Sequence, residues 1–263
     1  MKIEQGTLLR GDKIQRFMLD IKTVAKRKGF LAAITAATNR IRRAVTSRVK
    51  LSFLYNYNKL LMSRATFLFQ GNKYAYFLHT YNVTWRNERT VEIPIVKHIL
   101  QGTSGDVLEI GNVLSHYFDV KHDIVDKYEQ GNGVMTQDVT EMDTAKRYDL
   151  IISISTMEHV GWDEKPDHSA LVDDPEKILK AISKLCSLLK PKGKIVITVP
   201  LGYSPHLDNL LESGRLKFDE MFFMKRAPGG RRWVEAAWAE VKDVGFNMQV
   251  PTANALLIGY LKN

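Results

Sequence analysis

From about residue 88 onward, short apolar runs alternate with amphipathic helical segments. This alternation predicts helices at 88–101 and 174–190, and strands at 106–110, 122–126, 133–136, 148–155, 194–201 and 254–261. Strands that are separated by crossover helices favour a mainly parallel sheet covered on both faces. We therefore predict an α/β fold with a doubly wound sheet for residues 85–263.

The residues before this region have a different composition. Residues 1–50 contain 13 Lys and Arg against 3 acids, a balance of +10, whereas the other 213 residues contain 25 against 26, a balance of −1. Apolar stripes predict two basic amphipathic helices at 13–28 and 30–49, and alternation over 66–77 predicts a hairpin that turns at Gly71 and Asn72. The predicted domains are thus 1–84, a basic helical extension with a hairpin, and 85–263.

The basic segment 1–50 allows three interpretations. It packs on the body of the protein or on a second subunit, it contacts an anionic membrane surface, or, as the least favoured case, it holds nucleic-acid phosphates. The oligomeric state stays open. A single cysteine, Cys186, excludes an internal disulfide, and no apolar run resembles a signal peptide or a spanning helix. These features predict a cytoplasmic protein, with membrane association as the alternative.

Polar residues follow three of the predicted strands. In an open parallel sheet, ligands bind beyond the carboxyl ends of the strands, where the strand order reverses. Glu109 and Gly111 follow the first strand, and Asp126 ends the second, 17 residues after Glu109. A carboxylate at the end of that second strand can accept hydrogen bonds from both hydroxyls of a ribose. Glu129 is a rival for this role, and Asp138 can accept a hydrogen bond from an adenine amino group.

At these residues the chain resembles the class I methyltransferases that use S-adenosylmethionine. The matches, in chain order over about 85–201, are the Glu-x-Gly turn at 109–111, the acids at 126 and 138, the strand 148–153 that leads into 157–160, and the helix and strand at 188–200. The resemblance implies a Rossmann-like sheet. Through 85–89 and 111–117, the chain also looks similar to methyltransferases encoded beside glycan-assembly enzymes. It departs from the family pattern at Val113 and Ser115, where glycine is usual.

The resemblance implies S-adenosylmethionine as the cofactor and seven residues that contact it: Arg89, Glu109, Gly111, Asn112, Asp126, Asp138 and Ser155. Arg89 would grip the methionine carboxylate through paired hydrogen bonds, although a surface ion pair with a nearby glutamate explains an arginine there equally well. Some relatives carry a metal-binding glutamate at the position of Ser155. We therefore expect no metal.

The chain also offers candidates for catalysis and acceptor binding. His159 is the first candidate for a general base and His206 the second, because a histidine can accept a hydroxyl proton near neutral pH. A histidine that only orders its loop is an equal alternative for His159. The predicted acceptor-binding residues are Glu158, Tyr203 and Asp208, and Trp233 could stack on a sugar.

The predicted function is methyl transfer to an oxygen nucleophile on a sugar, lipid-linked or small-molecule acceptor. Two alternatives remain. One is an inactive protein that keeps the sheet as a binding scaffold, which the valine at position 113 allows. The other is a nicotinamide-dependent oxidoreductase, which is expected to carry a Gly-x-Gly-x-x-Gly sequence that residues 111–116 do not supply.

Overall fold

The computed structural model describes residues 46, 49–62, 64–131, 133–162, 174–249 and 251–263. It divides the chain into two compact units, Met1–Tyr57 and Asn58–Asn263. Residues 49–62 are helical, whereas the two predicted basic helices lie almost entirely outside the described residues. No helix within the described part is both long enough and apolar enough to cross a bilayer.

The described residues of the second unit form the end of the helix 49–62, a hairpin, a large sheet and four further helices. The hairpin strands are β1 (Thr66–Phe69) and β2 (Asn72–Ala75). The sheet strands are β3 (Val107–Ile110), β4 (Asp123–Asp126), β5 (Val134–Thr136), β6 (Tyr148–Ile154), β7 (Leu189–Pro200), β8 (Glu220–Arg226), β9 (Trp233–Ala236) and β10 (Ala255–Lys262). The helices are α1 (Arg89–Gln101), α2 (Glu176–Ser187), α3 (Pro205–Glu212) and α4 (Trp238–Val241). Short 3-10 turns occupy Tyr81–Arg86, Leu114–His116, Val139–Glu141 and Met157–His159.

The sheet has the strand order β5-β4-β3-β6-β7-β10-β8-β9. The four pairings from β5 to β7 are parallel, and the three that join β7, β10, β8 and β9 are antiparallel. The order runs outward in opposite directions from β3 and from β6, so the chain reverses between these two strands. The predicted doubly wound, mainly parallel α/β sheet is confirmed, and the reversal point is where such sheets bind ligands.

The sheet is buried on both faces. Along β6, Leu150 and Ile152 pack into one core with Val91 of α1, whereas Ile151 packs into the other core with Ile178 of α2. All five side chains are fully buried. A strand that is covered on both faces has no polar face, which explains the unbroken apolar run in β6.

The structure differs from the sequence predictions in two places. β7 begins at Leu189 rather than at 194, because Leu189 pairs with Tyr148 before the register shifts. The strands β8 and β9 were not predicted. The hairpin lies in the same unit as the sheet, where the backbone N–H of Gln70 donates to Glu235 Oε1 at 2.8 Å. The compact units divide after residue 57, and the predicted domain boundary after 84 stays a prediction.

Candidate functional site

A cavity of about 430 Å³ lies at the carboxyl ends of the parallel strands, at the reversal point between β3 and β6. Segments that follow β3, β4, β5 and β6 line it, together with the beginning of α1. Seven of the predicted site residues line this one cavity: Arg89, Gly111, Asn112, Asp126, Asp138, Ser155 and His159. These residues come from five separate segments of the chain, and the sheet brings them together.

Gly111 makes the first turn of the cavity possible. Its φ is +83°, a backbone conformation that favours glycine, and its N–H donates to Val125 O at 2.8 Å. A Cβ at this position would lie 2.2 Å from Thr156 Oγ1. The turn after β3 therefore approaches the turn after β6 more closely than it could with any other residue at position 111.

Glu109 holds that turn in place from behind. Its side chain is fully buried. Its Oε1 accepts hydrogen bonds from the backbone N–H groups of Val113 (3.0 Å) and Leu114 (2.8 Å), and its Oε2 lies 2.7 Å from His122 Nε2. Glu109 is not among the residues that line the cavity. In the structure Glu109 supports the turn, because both of its carboxylate oxygens are bound within the protein, and its contact with a cofactor stays a prediction.

The carboxylate of Glu109 also explains how valine is accommodated at 113. Val113 has φ −99° and ψ −51°, a right-handed conformation that suits any L-residue. Glu109 draws the N–H of Val113 into this conformation, so the turn continues into the 3-10 turn at Leu114–His116. The backbone at position 113 needs no glycine. At position 115, the serine hydroxyl donates to Asn112 Oδ1.

Two acids follow β4. Asp126 Oδ1 accepts the backbone N–H groups of Tyr128 (2.8 Å) and Glu129 (2.7 Å), and its Oδ2 accepts that of Asn112 at 3.0 Å. Glu129 is 44% exposed, with Oε2 2.6 Å from Asn112 Nδ2 and Oε1 3.2 Å from His116 Nε2. A carboxylate has about four acceptor positions, and three of those on Asp126 are used. Both acids line the cavity, so both remain candidates for binding a ribose.

Asp138 lines the cavity but is heavily engaged. Oδ1 accepts from the N–H (3.0 Å) and the hydroxyl (2.8 Å) of Thr140, and Oδ2 lies 2.8 Å from Lys177 Nζ and 2.9 Å from Lys127 Nζ. Burial by itself would raise the pKa of Asp138, but the two lysines and Thr140 lower it well below its ordinary value. These four donors fill the acceptor capacity of the carboxylate. An adenine amino group would have to displace one of them, which weakens the predicted contact.

Arg89 extends from the beginning of α1 to the cavity. Its Nη1 donates to Ile154 O (2.8 Å) and to Glu92 Oε2 (3.0 Å), and its Nη2 lies 3.4 Å from Ser155 O. The described contacts thus use three of the five N–H groups of the guanidinium. The remaining N–H groups give this nearly buried arginine the capacity to bind an anion in the cavity.

Glu92 was not predicted as a site residue. Next to Arg89, its side chain links α1 to the turn after β6 and to β7. It is fully buried, and its Oε1 accepts the hydroxyls of Ser155 and Thr198, each at 2.6 Å. Burial raises the pKa of Glu92, and Arg89 opposes that shift. Ser155 has φ +37°, which is unusual for a residue with a side chain. The bond to Glu92 stabilises this turn. In the sequence, Glu92 is indistinguishable from a solvated helical glutamate.

A wall of ring side chains along the cavity was also not predicted from the sequence. Tyr81 stacks on His116 with ring centroids 4.4 Å apart and meets Tyr117 edge-on at 5.5 Å. Burial raises the pKa of Tyr117 to about 12. The chain next to Tyr81 adopts φ +54° at Asn82 and φ +46° at Val83, and the latter is rare for a β-branched residue. Tyr81, Asn82, His116 and Tyr117 line the cavity, whereas Val83 does not. Two of these rings, His116 and Tyr117, belong to the motif at 111–117. The sequence of that motif does not indicate that they pack against Tyr81.

His159 lines the cavity and Glu158 lies behind it. His159 is 38% exposed, its Nε2 is 3.7 Å from Glu158 Oε1, and its ring meets Tyr203 edge-on at 5.1 Å. Glu158 is nearly buried, and its Oε2 has no hydrogen-bond partner among the described residues. Burial raises the pKa of Glu158 to about 8. Glu158 is not part of the cavity lining, so its predicted contact with an acceptor is not seen.

Four further predicted residues lie away from the cavity lining: Tyr203, His206, Asp208 and Trp233. The ring of His206 meets Trp162 edge-on at 5.0 Å. Both carboxylate oxygens of Asp208 accept the N–H of Gly202, at 3.2 and 3.1 Å, and burial raises the pKa of Asp208 to about 6. Trp233 is buried, with the Arg226 guanidinium 4.8 Å from its ring. The predicted roles of His206 and Asp208, and the sugar stacking by Trp233, are therefore not supported by their positions. Tyr203 reaches the site only through His159.

Among the described residues, no group of three or more His, Cys, Asp or Glu side chains is arranged to hold a metal ion. The cavity instead presents one arginine, two accessible acids, aromatic rings and a glycine turn. This combination suits an organic ligand with an anionic end and hydroxyl groups.

Comparisons with known proteins give matches only among solved structures. No family model matches the chain, and no curated protein does. The chain is 14% identical to the N-methyltransferase NodS from Bradyrhizobium japonicum WM9, over 67% of this chain and 96% of that one, with a TM-score of 0.41. It is 16% identical to the 1,6-didemethyltoxoflavin-N1-methyltransferase from Burkholderia thailandensis, over 64% of this chain and 75% of that one, with a TM-score of 0.36. Structures of both with S-adenosylhomocysteine are known.

Proposed function

We propose that this chain is a methyltransferase that uses S-adenosylmethionine and methylates an oxygen nucleophile on a sugar, lipid-linked or small-molecule acceptor. One observation carries the proposal. A single cavity at the reversal point of a doubly wound sheet is lined by a glycine turn, by acids after the second strand and by an arginine. The order of these groups along the chain is that of the class I enzymes that the sequence resembles.

The groups in the cavity fit the parts of the proposed cofactor. Arg89 has N–H groups that can bind the methionine carboxylate. Asp126 and Glu129 can accept the ribose hydroxyls, and the Gly111 turn, which lines the cavity, packs closely on Thr156 and so brings the segments after β3 and β6 together around the ligand. When bound, the cofactor supplies an activated methyl group on a sulfonium.

The residues of the chain then have two tasks. The first is alignment, because methyl transfer requires the acceptor atom in line with the methyl–sulfur bond in a site with little water. The second is to accept the proton of a hydroxyl acceptor. His159 is the candidate for this, since it lines the cavity and Tyr203 and Glu158 restrict its ring.

Isothermal titration calorimetry of the purified chain with S-adenosylmethionine, S-adenosylhomocysteine and NAD tests the proposal. We expect both sulfur nucleosides to bind and NAD not to bind. Binding of NAD alone would support the nicotinamide-dependent alternative, and no binding of any of the three would support the inactive scaffold. The backbone conformation of Val113 removes the main sequence argument for an inactive scaffold.

The acceptor is best found by a screen with a labelled methyl donor against sugars, lipid-linked glycans and small alcohols. An oxygen acceptor predicts a product ether that is stable to mild acid and base. With an acceptor in hand, we expect His159→Asn to bind S-adenosylhomocysteine normally and to lose turnover at neutral pH. Full turnover in this variant would refute the proton-accepting role of His159.

A further inference from the structure

The described part of the first unit contains a helix with an apolar side in contact with water. Val49, Phe53 and Tyr57 recur every four residues, so they lie on one side of the helix. Their exposed fractions are 64%, 68% and 46%, and the rings of Phe53 and Tyr57 are stacked at 6.4 Å. We call these three residues the apolar stripe.

The apolar stripe is exposed, whereas the other side of this helix carries a partly buried apolar residue. Leu51 is half-buried, and at 100° per residue it lies about 160° away from both Val49 and Phe53, on the other side of the helix. A helix on the surface of a water-soluble protein normally presents polar residues, and not a row of apolar ones, to water. An exposed row of apolar side chains marks a surface that binds something.

The charge of the surrounding chain indicates the kind of partner. No Asp or Glu occurs between Asp20 and Glu88, and residues 21–57 carry nine Lys and Arg. Lys50 is exposed beside the apolar stripe on the same helix. A basic, acid-free segment of sequence that includes an exposed aromatic and aliphatic row has the composition of segments that lie in the interface of an anionic bilayer.

We propose that the apolar stripe inserts into the surface of a membrane that contains anionic lipid. The surrounding lysines and arginines would then bind lipid phosphates. A second copy of the chain is a poorer partner, because pairing two such helices would bring like charges together. Nucleic acid would use the basic residues but would leave Val49 and Phe53 without an apolar environment. The proposal does not depend on the methyltransferase assignment.

Sedimentation of the full chain with vesicles tests it, using phosphatidylcholine alone and phosphatidylcholine mixed with phosphatidylglycerol. We expect binding to the anionic vesicles and much weaker binding to the neutral ones. Replacing both Val49 and Phe53 by glutamine leaves the net charge unchanged and should weaken binding to anionic vesicles by about tenfold or more. The matched control replaces Met221 and Met248 by glutamine, since these are also exposed apolar residues, and should bind like the unmodified chain.

A second readout does not depend on the amount that sediments. In Phe53→Trp, the added indole should shift its emission to shorter wavelength with anionic vesicles and not with neutral ones. The proposal would be overturned if the Val49/Phe53 variant and the unmodified chain bound anionic vesicles equally, or if neither bound any vesicle. It would also be overturned if the double substitution abolished a dimer of the chain without changing vesicle binding. Binding to a single-stranded RNA oligonucleotide in place of vesicles would favour nucleic acid instead.

Discussion

At the scale of single residues, the cavity depends on side chains whose hydrogen-bonding capacity is already assigned. Glu109 and Asp138 have both carboxylate oxygens bound by groups of the protein. Arg89, Glu129 and His159 combine a place in the lining with capacity for a further partner. Glu109 thus holds the site without lining it, whereas Arg89 and Asp126 both hold turns of the site and keep hydrogen-bonding capacity for a ligand.

Gly111→Ala should abolish binding of S-adenosylhomocysteine. The alanine Cβ would lie 2.2 Å from Thr156 Oγ1 at a φ of +83°, so the turn has to move. Gly229→Ala is the matched control, since Gly229 has φ +90° and no atom within 4 Å of an added Cβ. Both variants should lose about 1–3 kcal/mol of stability from backbone strain, measured by thermal unfolding. Calorimetry should find lost binding only at position 111.

Arg89→Lys should reduce selectivity for the amino-acid end of the cofactor. Lysine keeps the charge next to Glu92 but lacks the planar fork that binds a carboxylate with two hydrogen bonds. We expect the affinity for S-adenosylhomocysteine to fall about tenfold, with little change for 5′-methylthioadenosine, which lacks the amino-acid part. The control is Arg86→Lys, at an exposed position outside the cavity lining. An equal loss for both ligands would refute the contact.

The buried Glu158 should make stability depend on pH. Its pKa is about 8 in the folded protein, against an ordinary value of 4.5, so between these values the folded state holds a proton that the unfolded chain releases. The contribution of Glu158 to the free energy of unfolding is therefore fully present below pH 4.5. It decreases as the pH rises from 4.5 towards 8, and above pH 8 it changes no further. Arg89, Glu92 and His159 are the charged or titratable groups that act on it.

Urea unfolding at a series of pH values measures this effect. In the Glu158→Gln variant, the free energy of unfolding should decrease less steeply between pH 4.5 and about 8 than in the unmodified chain. Asp208→Asn is the comparison variant, because the pKa of Asp208 is raised only to about 6 and its effect should end near that pH. If the stability of the Glu158 variant falls with pH as steeply as that of the unmodified chain, the carboxyl is ionised in the folded protein.

At the scale of elements, the turn after β3 shows how a departure from a family pattern is accommodated. Val113 takes a right-handed conformation because the carboxylate of Glu109 binds its N–H. We therefore predict that Val113→Gly gives no gain in affinity for S-adenosylhomocysteine. It should cost about 0.5–1 kcal/mol of stability, because glycine loses more conformational freedom on folding. Calorimetry and thermal unfolding of this variant measure both, and a clear gain in affinity would show that the valine obstructs the ligand.

The elements also show what the sequence could predict. The strands β3, β4, β6 and β10 were found, because a strand buried on both faces leaves an apolar run. The strands β8 and β9 were missed, because β8 buries Phe223 and Met224 but leaves Met221 exposed, which gives no regular alternation. Residues directly after strands were predicted to reach the cavity, and most do. Glu92 and Tyr81 reach the site from α1 and from the turn before it, and their positions depend on packing between elements distant in the chain.

At the scale of the second unit, the cavity joins segments that are far apart in sequence. Ligand binding should therefore protect several turns at once. We expect S-adenosylhomocysteine to slow amide hydrogen exchange at 111–117, 126–129, 138–141 and 155–160, and to leave the hairpin β1–β2 unchanged. Exchange measured by mass spectrometry checks this, and protection confined to one segment would contradict a shared cavity.

The position of β10 has a consequence for how the sheet assembles during synthesis. β10 follows all the other described strands in the chain, yet it lies between β7 and β8. Until it arrives, the nascent chain exposes the hydrogen-bonding edge of β7, whose stretch Ile195–Val199 is fully buried in the finished sheet. Unpaired apolar edges promote association between chains. Slow translation between β7 and β10 should therefore lower the yield of correctly folded protein, and a chaperone that shields β7 should restore it.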